Sequence, residues 1–448
     1  MTVYEADWIC PITSASIPDG AIAVEDGRLS KLGSSAEVAG AHRVQFPGCA
    51  IIPGFVNAHA HLELTVLRGL LENIPFMEWI RRLTHIKYQL LSREDLKLSA
   101  QLGAIEMLRA GVTTVAEVMD VGTGWDAMRE FGLQGIAYQE VFGPADAAAA
   151  ESMRGLAGKV ERYRHDESAT MRIGVSPHAP YTVSQPLFKS VRDFAQKEGL
   201  RMTAHVAESR DETGFVRDGA GPFAAAHAKR GIDVIARRCM PVAYLESLGL
   251  LGPDMLLVHC VEVNERDLDF IRDTGTFVVH CPKSNAKLGN ATARIHDMLV
   301  QGIPVSLGTD SVASNNVIDM FEEMRSAIFQ QRTLTGRMDS LTASGAFRMA
   351  TIESARSLGM AEELGSLEVG KRADFAVVDL SRSATQPVFD PVETMVYSAS
   401  RGDVRRVFVG GREISIEDAD VLREVRRMSR KLPGLLALRG NGLTNGQV

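Results

Sequence analysis

Short apolar segments alternate with helical stretches through the middle of the chain, from about residue 54 onward. Eight of these segments are nearly all apolar, and they predict strands over 54–57, 112–118, 133–141, 171–176, 201–205, 255–259, 276–280 and 303–308. Strands that are apolar on both faces and separated by helices are typical of a parallel sheet covered on both sides. Eight repeats favour a closed α/β architecture, the (β/α)8 TIM-type barrel, over an open doubly wound sheet.

The stretches between these strands carry helix signals. Helices are predicted over 94–109, 186–198, 265–274, 293–300 and 319–329. Ser92 followed by Asp95 predicts a capping box at the start of the first of them. Beyond the barrel, the sequence predicts a basic amphipathic helix over 418–438 with a solvent-facing charged side.

The two ends of the chain have a different pattern. Residues 1–53 contain short segments separated by turn signals at residues 18–20 and 25–27, and residues 365–415 repeat this style. Such segments predict short antiparallel strands, and we expect both ends to combine into one small β-sandwich. The predicted units are therefore a β-sandwich from 1–53 and 357–415, a barrel over 54–356 and a helical tail over 416–448.

Composition narrows the class of protein. The chain has 448 residues, of which 45% are hydrophobic and 23% charged, and this mix is typical of a globular protein. A formal net charge of −7 argues against nucleic-acid and anionic-membrane partners, which reward a concentrated positive field. No apolar stretch approaches the roughly 18–20 residues that span a bilayer. Because the five cysteines form no CxxC pair, we expect free thiols and a cytoplasmic protein.

Residue types that bind metals end five of the eight predicted strands. They are His59 and His61 at the first strand, His205 at the fifth, His259 at the sixth, His280 at the seventh and Asp310 after the eighth. A barrel brings the carboxyl ends of its strands to one face, where active sites are found. Imidazole nitrogens with one carboxylate suit zinc or ferrous iron, so the sequence predicts a metal site at this face.

These residues occur in longer motifs. They are PGFVNAHAH at 53–61, SPHAPY at 176–181, HVAE at 205–208, VHC at 258–260, HCPKSN at 280–285, GTDS at 308–311, SNN at 314–316 and DMFEEMR at 319–325. The ordered set resembles the amidohydrolase superfamily, in its aminohydrolase branch of S-adenosylhomocysteine/methylthioadenosine deaminases, aminofutalosine deaminase and s-triazine hydrolases. The resemblance covers about residues 50–410.

The resemblance implies one divalent metal per chain, with zinc expected before iron. Its ligands would be His59, His61, His205 and Asp310. Relatives that hold two metals bridge them with a lysine at the end of the fourth strand. Here that strand ends in SPH at 176–178 with no lysine nearby, which favours a single metal.

The resemblance also implies three catalytic groups, Glu208, His259 and Asp310. A bound divalent metal lowers the pKa of its water from about 15.7 to about 7, and the resulting hydroxide can attack a ring carbon at neutral pH. Attack breaks aromaticity, so the adjacent ring nitrogen must gain a proton, and Glu208 could deliver it. His259 and Asp310 would orient the water and hold its proton, and ammonia would leave.

Two substrate-binding residues follow from the same resemblance, Trp79 and His178. One position departs from the pattern of adenosine-type relatives. Those relatives have a glutamate that binds the ribose diol, shortly after the segment that carries the tryptophan. Tyr88 stands about where that glutamate is expected. The loop after the third strand, at 143–150, also has no arginine for an amino-acid carboxylate, so the presence of a ribose in the substrate stays open.

The predicted function is hydrolytic deamination of a purine-like or adenosine-derived nitrogen heterocycle, with a small molecule as the only partner besides a second copy in a homodimer. The alternative enzyme is an s-triazine chlorohydrolase or alkylaminohydrolase. A third possibility, an inactive relative that serves in assembly, is disfavoured because such proteins usually lose metal ligands. Every expected ligand type is present here.

Overall fold

The computed structural model describes residues 1–440, with side chains up to residue 430, so positions 441–448 of the predicted tail lie outside the described residues. The strands of the described chain are β1 (Thr2–Ile9), β2 (Ile17–Glu25), β3 (Arg28–Ser34), β4 (His42–Pro53), β5 (Phe55–Ala60), β6 (Val112–Met119), β7 (Gln134–Val141), β8 (Met171–Pro177), β9 (Met202–Val206), β10 (Met255–His259), β11 (Phe277–His280), β12 (Val305–Leu307), β13 (Phe375–Asp379), β14 (Val404–Val409) and β15 (Arg412–Glu413).

The helices fall mainly between the strands of the barrel. They are α1 (Phe76–Gln89), α2 (Arg93–Arg109), α3 (Thr123–Phe131), α4 (Ala149–Arg164), α5 (Gln185–Glu198), α6 (Arg210–Asp218), α7 (Pro222–Lys229), α8 (Pro241–Ser247), α9 (Glu265–Thr274), α10 (Pro282–Lys287), α11 (Ile295–Val300), α12 (Val312–Asn315), α13 (Met320–Thr335), α14 (Ala343–Met349), α15 (Ile352–Ser357), α16 (Pro391–Ser398) and α17 (Ala419–Gly440). Short 3-10 turns lie at Leu62–Leu67, Asp146–Ala148, Ser383–Thr385 and Arg401–Asp403. The predicted capping box of Ser92 and Asp95 opens α2.

Strands β5 to β12 form one parallel sheet in chain order, and its ends meet. The N–H of Asp310, just after β12, donates to the carbonyl of His59 in β5 at 3.0 Å, and Ala60 forms a parallel bridge with Asp310. The predicted eight-stranded barrel is therefore confirmed. Its strands begin and end within three residues of the predicted positions because each buries both faces, which makes the apolar runs easy to recognise.

The barrel interior is apolar along most of its length. Ile136 and Tyr138 of β7 pack inside with residues of neighbouring strands, whereas Ala137 and Val141 face the surrounding helices. Residues 355–364 close one end of this interior. At the same end, the N–H of Val56, at the start of β5, donates to the carbonyl of Ala350. Polar groups are thus left to the opposite end, where the strands terminate.

Both ends of the chain contribute to a second sheet, as predicted. Its seven strands run in the order β15-β14-β13-β4-β1-β2-β3 and form one hydrogen-bonded sheet, with β4 antiparallel to β13. Tyr4 of β1 lies edge-on to Phe375 of β13 and to Phe408 of β14, at centroid distances of 5.2 and 5.0 Å. The first and the last strands therefore share a core.

The C-terminal helix α17 follows the predicted range closely. Met428 is buried in a cluster that includes Trp79 of α1, so one side of the helix packs on the protein. Within residues 1–440, no helix is both long and apolar enough to cross a membrane. The five cysteines are free.

We propose that residues 1–53 and 357–415 fold as one unit beside the barrel, and we expect a chain that begins at Gly54 to be insoluble or barely folded. Removing β1 and β4 takes away one of the two strands that flank β13 and exposes the aromatic core around Phe375. Soluble yield and the thermal unfolding transition report the result. Coexpression of residues 1–53 should restore solubility, whereas a Gly54 chain with the full-length melting temperature would contradict the proposal.

Candidate active site

The end of β5 is shaped so that His59 meets the last strand of the barrel. The pairing of β5 with β6 shifts register between Asn57 and Ala60, so His59 lies in a β-bulge, a device that re-aims side chains. The side chain of Asn57 accepts the N–H of Thr309 at 3.1 Å and donates to its hydroxyl at 2.8 Å. A Cβ at Gly308 would lie 2.8 Å from that of His59, so only glycine permits this approach.

The Nε2 atoms of His61 and His205 face each other, and each carries a lone pair. Nδ1 of His61 lies 3.1 Å from the carbonyl of Val118, and Nδ1 of His205 lies 3.0 Å from the carbonyl of His178. Because a carbonyl only accepts, each Nδ1 carries the proton and each Nε2 is left as an acceptor. The two Nε2 atoms are 3.3 Å apart, a repulsive contact unless a cation lies beside it.

Protonation of either ring does not supply the positive charge. Burial, followed by neighbouring histidines, lowers the pKa of both His61 and His205 well below the ordinary value, so both rings are neutral. His59 is fully buried, and both of its ring nitrogens lack a hydrogen-bond partner among the described residues. Buried imidazole nitrogens without partners are costly unless a ligand satisfies them.

Asp310 adds a carboxylate to these nitrogens. Its Oδ1 lies 3.5 Å from Nε2 of His59 and 3.6 Å from Nε2 of His61. The hydroxyls of Ser284 and Ser314 donate to Oδ2 at 2.5 and 3.0 Å, which fixes the orientation of the carboxylate. Burial alone would raise the pKa of Asp310, but the neighbouring imidazoles, His59 first, lower it well below the ordinary value.

This donor set fits a divalent cation. The ligand atoms of His59, His61 and Asp310 lie within 4.8 Å of one another, as do those of His59, His205 and His259. Three imidazole nitrogens and one carboxylate oxygen match the preferences of zinc and ferrous iron. The predicted metal ligands are thus brought together, and their roles remain predictions.

His259 is aimed at the same point by an unusual backbone. Its φ is +78° and that of Cys260 is +46°, in the left-handed region that non-glycine residues rarely adopt. Oδ1 of Asn285 lies 2.9 Å from Nδ1 of His259, which leaves Nε2 as an acceptor toward the cluster. Burial lowers the pKa of His259 to about 4, so the ring is neutral at pH 7.

Glu208 is a buried carboxyl beside this histidine. Its Oε1 lies 3.9 Å from Nε2 of His259 and accepts a hydrogen bond from Asn290 at 3.3 Å. The side chain of Glu212 accepts the N–H groups of Ala207 and Glu208 and so fixes the turn after β9. Burial, then the charges of Asp310 and Glu212, raises the pKa of Glu208 well above the ordinary value, as suits a group that carries protons.

His178 lies beside the predicted ligand His205, just after β8. Its ring centroid is 4.8 Å from that of His205. Nδ1 lies 2.7 Å from the hydroxyl of Thr182, which itself donates to the carbonyl of Ala179. His178 is therefore the donor to Thr182, and its Nε2 is an acceptor. Burial, followed by the charge of Lys87, lowers the pKa of His178 to about 3.

The structure places Trp79 and Tyr88 on α1, where each has its own contacts. Trp79 stacks on Phe76 at 6.3 Å in an apolar cluster, and its Nε1 has no partner in the described part of the chain. The hydroxyl of Tyr88 donates to Asp120 at 2.6 Å, and the ammonium of Lys87 lies 3.2 Å from the same carboxylate oxygen. A substrate-binding role for Trp79 stays a prediction.

Several residues of the site had no predicted role. Ser284 and Asn285 lie in the HCPKSN motif and Ser314 in SNN, so hydroxyl and amide residues near strand ends were the available signal. Glu140 carried no such signal. His280, in contrast, ends a strand but joins none of the ligand clusters found among residues 1–430, and its ring nitrogens have no partner there.

Comparison with known proteins agrees with this geometry. The Amidohydrolase family matches residues 50–414. A 5-methylthioadenosine/S-adenosylhomocysteine deaminase of Syntrophobacter fumaroxidans is 33% identical over 411 residues, covering 90% of this chain and 89% of its own length.

Solved structures share the architecture. An adenosine deaminase from Xanthomonas campestris with bound zinc superposes with a TM-score of 0.84 at 28% identity, covering 97% of this chain and 98% of the other. A zinc complex of atrazine chlorohydrolase from Arthrobacter aurescens gives a TM-score of 0.81 at 20% identity, covering 95% and 99%, and this likeness concerns the fold alone. The chain therefore belongs to the amidohydrolase family, whose enzymes depend on metal.

Proposed function

We propose that the protein is a zinc-dependent hydrolytic deaminase of a purine-like or adenosine-derived heterocycle. The observation that carries the proposal is the buried carboxyl of Glu208, with a raised pKa, next to a cluster of imidazole lone pairs. Relatives named as deaminases of adenosine derivatives support the substrate class. A cytoplasmic location and a homodimer remain predictions.

His59, His61, His205 and Asp310 would hold the metal. When bound, a divalent cation makes water acidic enough to act as a nucleophile near neutral pH. The serine hydroxyls donate to Oδ2 of Asp310, and Oδ1, which accepts the N–H of Ser311 at 2.6 Å, faces the ligand cluster. The backbone carbonyls on His61 and His205 keep both Nε2 atoms unprotonated, so no proton competes with the cation.

Glu208 and His259 are placed to move protons at the reacting ring. Addition of water to the ring carbon puts charge on the adjacent ring nitrogen, and the protonated carboxyl of Glu208 can donate to it. Nε2 of His259, kept as an acceptor by Asn285, can accept a hydrogen bond from the attacking water. Glu208, now a carboxylate, can take the proton of the added hydroxyl group and pass it to the exocyclic amine. The carbon–nitrogen bond then breaks, ammonia leaves and a carbonyl stays on the ring.

The zinc-loaded protein should release ammonia from adenosine or a related aminopurine. The measurement is ammonia release from a panel of adenosine, guanine, cytosine and pterin compounds, with chloride and alkylamine release from s-triazines measured in parallel. The matched control is Glu151→Gln, at an exposed position of α4, which should have wild-type rates. Turnover of triazines without any release of ammonia from the heterocycles would show that the alternative enzyme class is correct.

Purified protein should contain about one tightly bound zinc or iron per chain. The reason is that two overlapping groups of ligand atoms, one from His59, His61 and Asp310 and one from His59, His205 and His259, share His59, and that no lysine lies at the end of the fourth barrel strand. Metal analysis by mass spectrometry measures the content, and His205→Ala should lose metal and activity together. A stoichiometry near two, with both ions needed for turnover, would contradict this expectation.

Glu208→Gln should lower kcat on the order of 10²–10⁴-fold, the loss expected when a general acid is removed. Glutamine keeps the size and much of the hydrogen bonding but cannot donate the proton. Steady-state kinetics and metal content are measured together, and the metal should stay near the wild-type level. A variant that retains more than about a tenth of the wild-type kcat, or that loses its metal, would refute the role of Glu208.

A further inference from the structure

Glu140 is a buried carboxyl that no step above uses. Along β7, Ile136 and Tyr138 face the barrel interior, and Glu140 shares their face at the end where the strand terminates. Its side chain is 4% exposed, and its Oε1 has no hydrogen-bond partner among the described residues. A buried polar atom without a partner is costly, and native proteins usually retain one where a ligand or water satisfies it.

The neighbours of Glu140 leave this carboxyl unpaired. Lys87 is the nearest buried cation, but its ammonium lies 3.2 Å from a carboxylate oxygen of Asp120. Asp120 also accepts the hydroxyl of Tyr88 and lies near the ammonium of Lys159. No ion pair between Lys87 and Glu140 is formed within the described chain. Nε2 of His178 lies 3.9 Å from Oε1 of Glu140, beyond hydrogen-bonding distance.

A second metal ion does not explain this arrangement. Ligand atoms of Glu140, His178 and His205 do lie within 4.8 Å of one another. The Nδ1 of His205, however, is committed to the carbonyl of His178, so the ring has one lone pair, and that lone pair faces His61 at 3.3 Å. One lone pair can coordinate one ion. The lone pair of His205 faces His61, which belongs to the donor set with His59 and Asp310, so it is not available to a second ion beside Glu140.

Two acceptors therefore stand side by side at the wall of the site. Nε2 of His178 accepts because its Nδ1 donates to Thr182, and Oε1 of Glu140 lies 3.9 Å away. Two acceptors at this separation match two donors on adjacent atoms of a ligand, such as two neighbouring hydroxyl groups. The rings of His178 and His205 are 4.8 Å apart, so the pair lies one side chain away from the ligand cluster.

We propose that Glu140 and His178 form a subsite that hydrogen-bonds neighbouring hydroxyl groups carried by the substituent of the reacting heterocycle. Glu140 is then a specificity-determining residue, and the preferred substrate is a nucleoside with a hydroxylated sugar in place of a bare base. This inference rests on the proposed deaminase function and deepens it. It also assigns sugar recognition to β7, because Tyr88 of α1 is already bonded to Asp120.

The test combines variants of Glu140 with substrates that lack single hydroxyl groups. The zinc-loaded wild type, Glu140→Leu and Glu140→Gln are compared on adenosine, its 2′-, 3′- and 5′-deoxy analogues and adenine. With adenosine, Glu140→Leu should lower kcat/KM by about 5- to 150-fold, the cost of leaving a buried hydroxyl group of the substrate without its acceptor. With the analogue that lacks the recognised hydroxyl, the same substitution should change kcat/KM by less than about 2-fold.

Controls separate this role from folding and from metal binding. Glu140→Gln keeps an acceptor oxygen and nearly the same volume, so it should lose less than Glu140→Leu and serves if the leucine variant does not fold. Glu151→Leu, on the exposed side of α4, should match the wild type on every substrate. Equal losses on all four nucleosides and on adenine, or a loss of zinc in both Glu140 variants, would overturn the proposal.

Binding distinguishes a failure of this subsite from a failure of the proposed function. If the wild type releases no ammonia from any nucleoside, the proposed function is wrong, and calorimetry with inosine and its deoxy analogues then decides the subsite. Inosine binding that Glu140→Leu weakens only for hydroxylated ligands supports the subsite on its own. An absence of inosine binding to the wild type would overturn the subsite as well.

Discussion

The contact between the unprotonated Nε2 atoms of His61 and His205 is the constraint on which the rest of the site depends. Two lone pairs 3.3 Å apart repel, and a cation placed beside them would remove the repulsion. Burial keeps the rings neutral, and the carbonyls of Val118 and His178 fix the proton on the far nitrogen of each ring. A bound cation is therefore the group that would satisfy these buried nitrogens, since the described residues around them offer no donor to either Nε2.

The backbone is held in unfavourable conformations to present these groups. Ala207, His259, Cys260 and Asp310 all have positive φ, and all lie at or just beyond the ends of barrel strands. Each such residue costs on the order of 1–3 kcal/mol, which is sustained only when the surroundings leave no alternative. Closure of the barrel supplies that constraint, because the backbone hydrogen bond from Asp310 to His59 holds the end of the last strand against the first.

The fold was predictable because its signal is local. Each barrel strand buries both faces, so apolar runs mark all eight, and ligand-type residues at their ends predict a common site. Local spacing was less informative about geometry. Simple alternation would aim His59 and His61 at one point, whereas the structure achieves this through a bulge at His59. His280 also ends a strand, yet it joins no ligand cluster in the described chain.

Features that depend on contacts between distant strands left no pattern in the sequence. Glu140 resembles any polar residue at the end of a strand, and its unpaired state becomes evident only when His178, Lys87 and Asp120 are placed around it. The same holds for Tyr88. The sequence showed only that a tyrosine stands where a glutamate is expected. The structure adds that the hydroxyl of Tyr88 donates a hydrogen bond to Asp120.

In the proposed arrangement, the groups for chemistry and the groups for selectivity lie on different elements. The groups that would hold the metal and move protons lie at the ends of β5, β9, β10 and β12, tied to each other by backbone and side-chain hydrogen bonds. The groups available to read the rest of the substrate lie on β7, after β8 and on α1. A change at Glu140 or Tyr88 therefore leaves the bonds that orient His61, His205 and Asp310 intact. For this reason a barrel of this design can change its substrate without rebuilding its metal site.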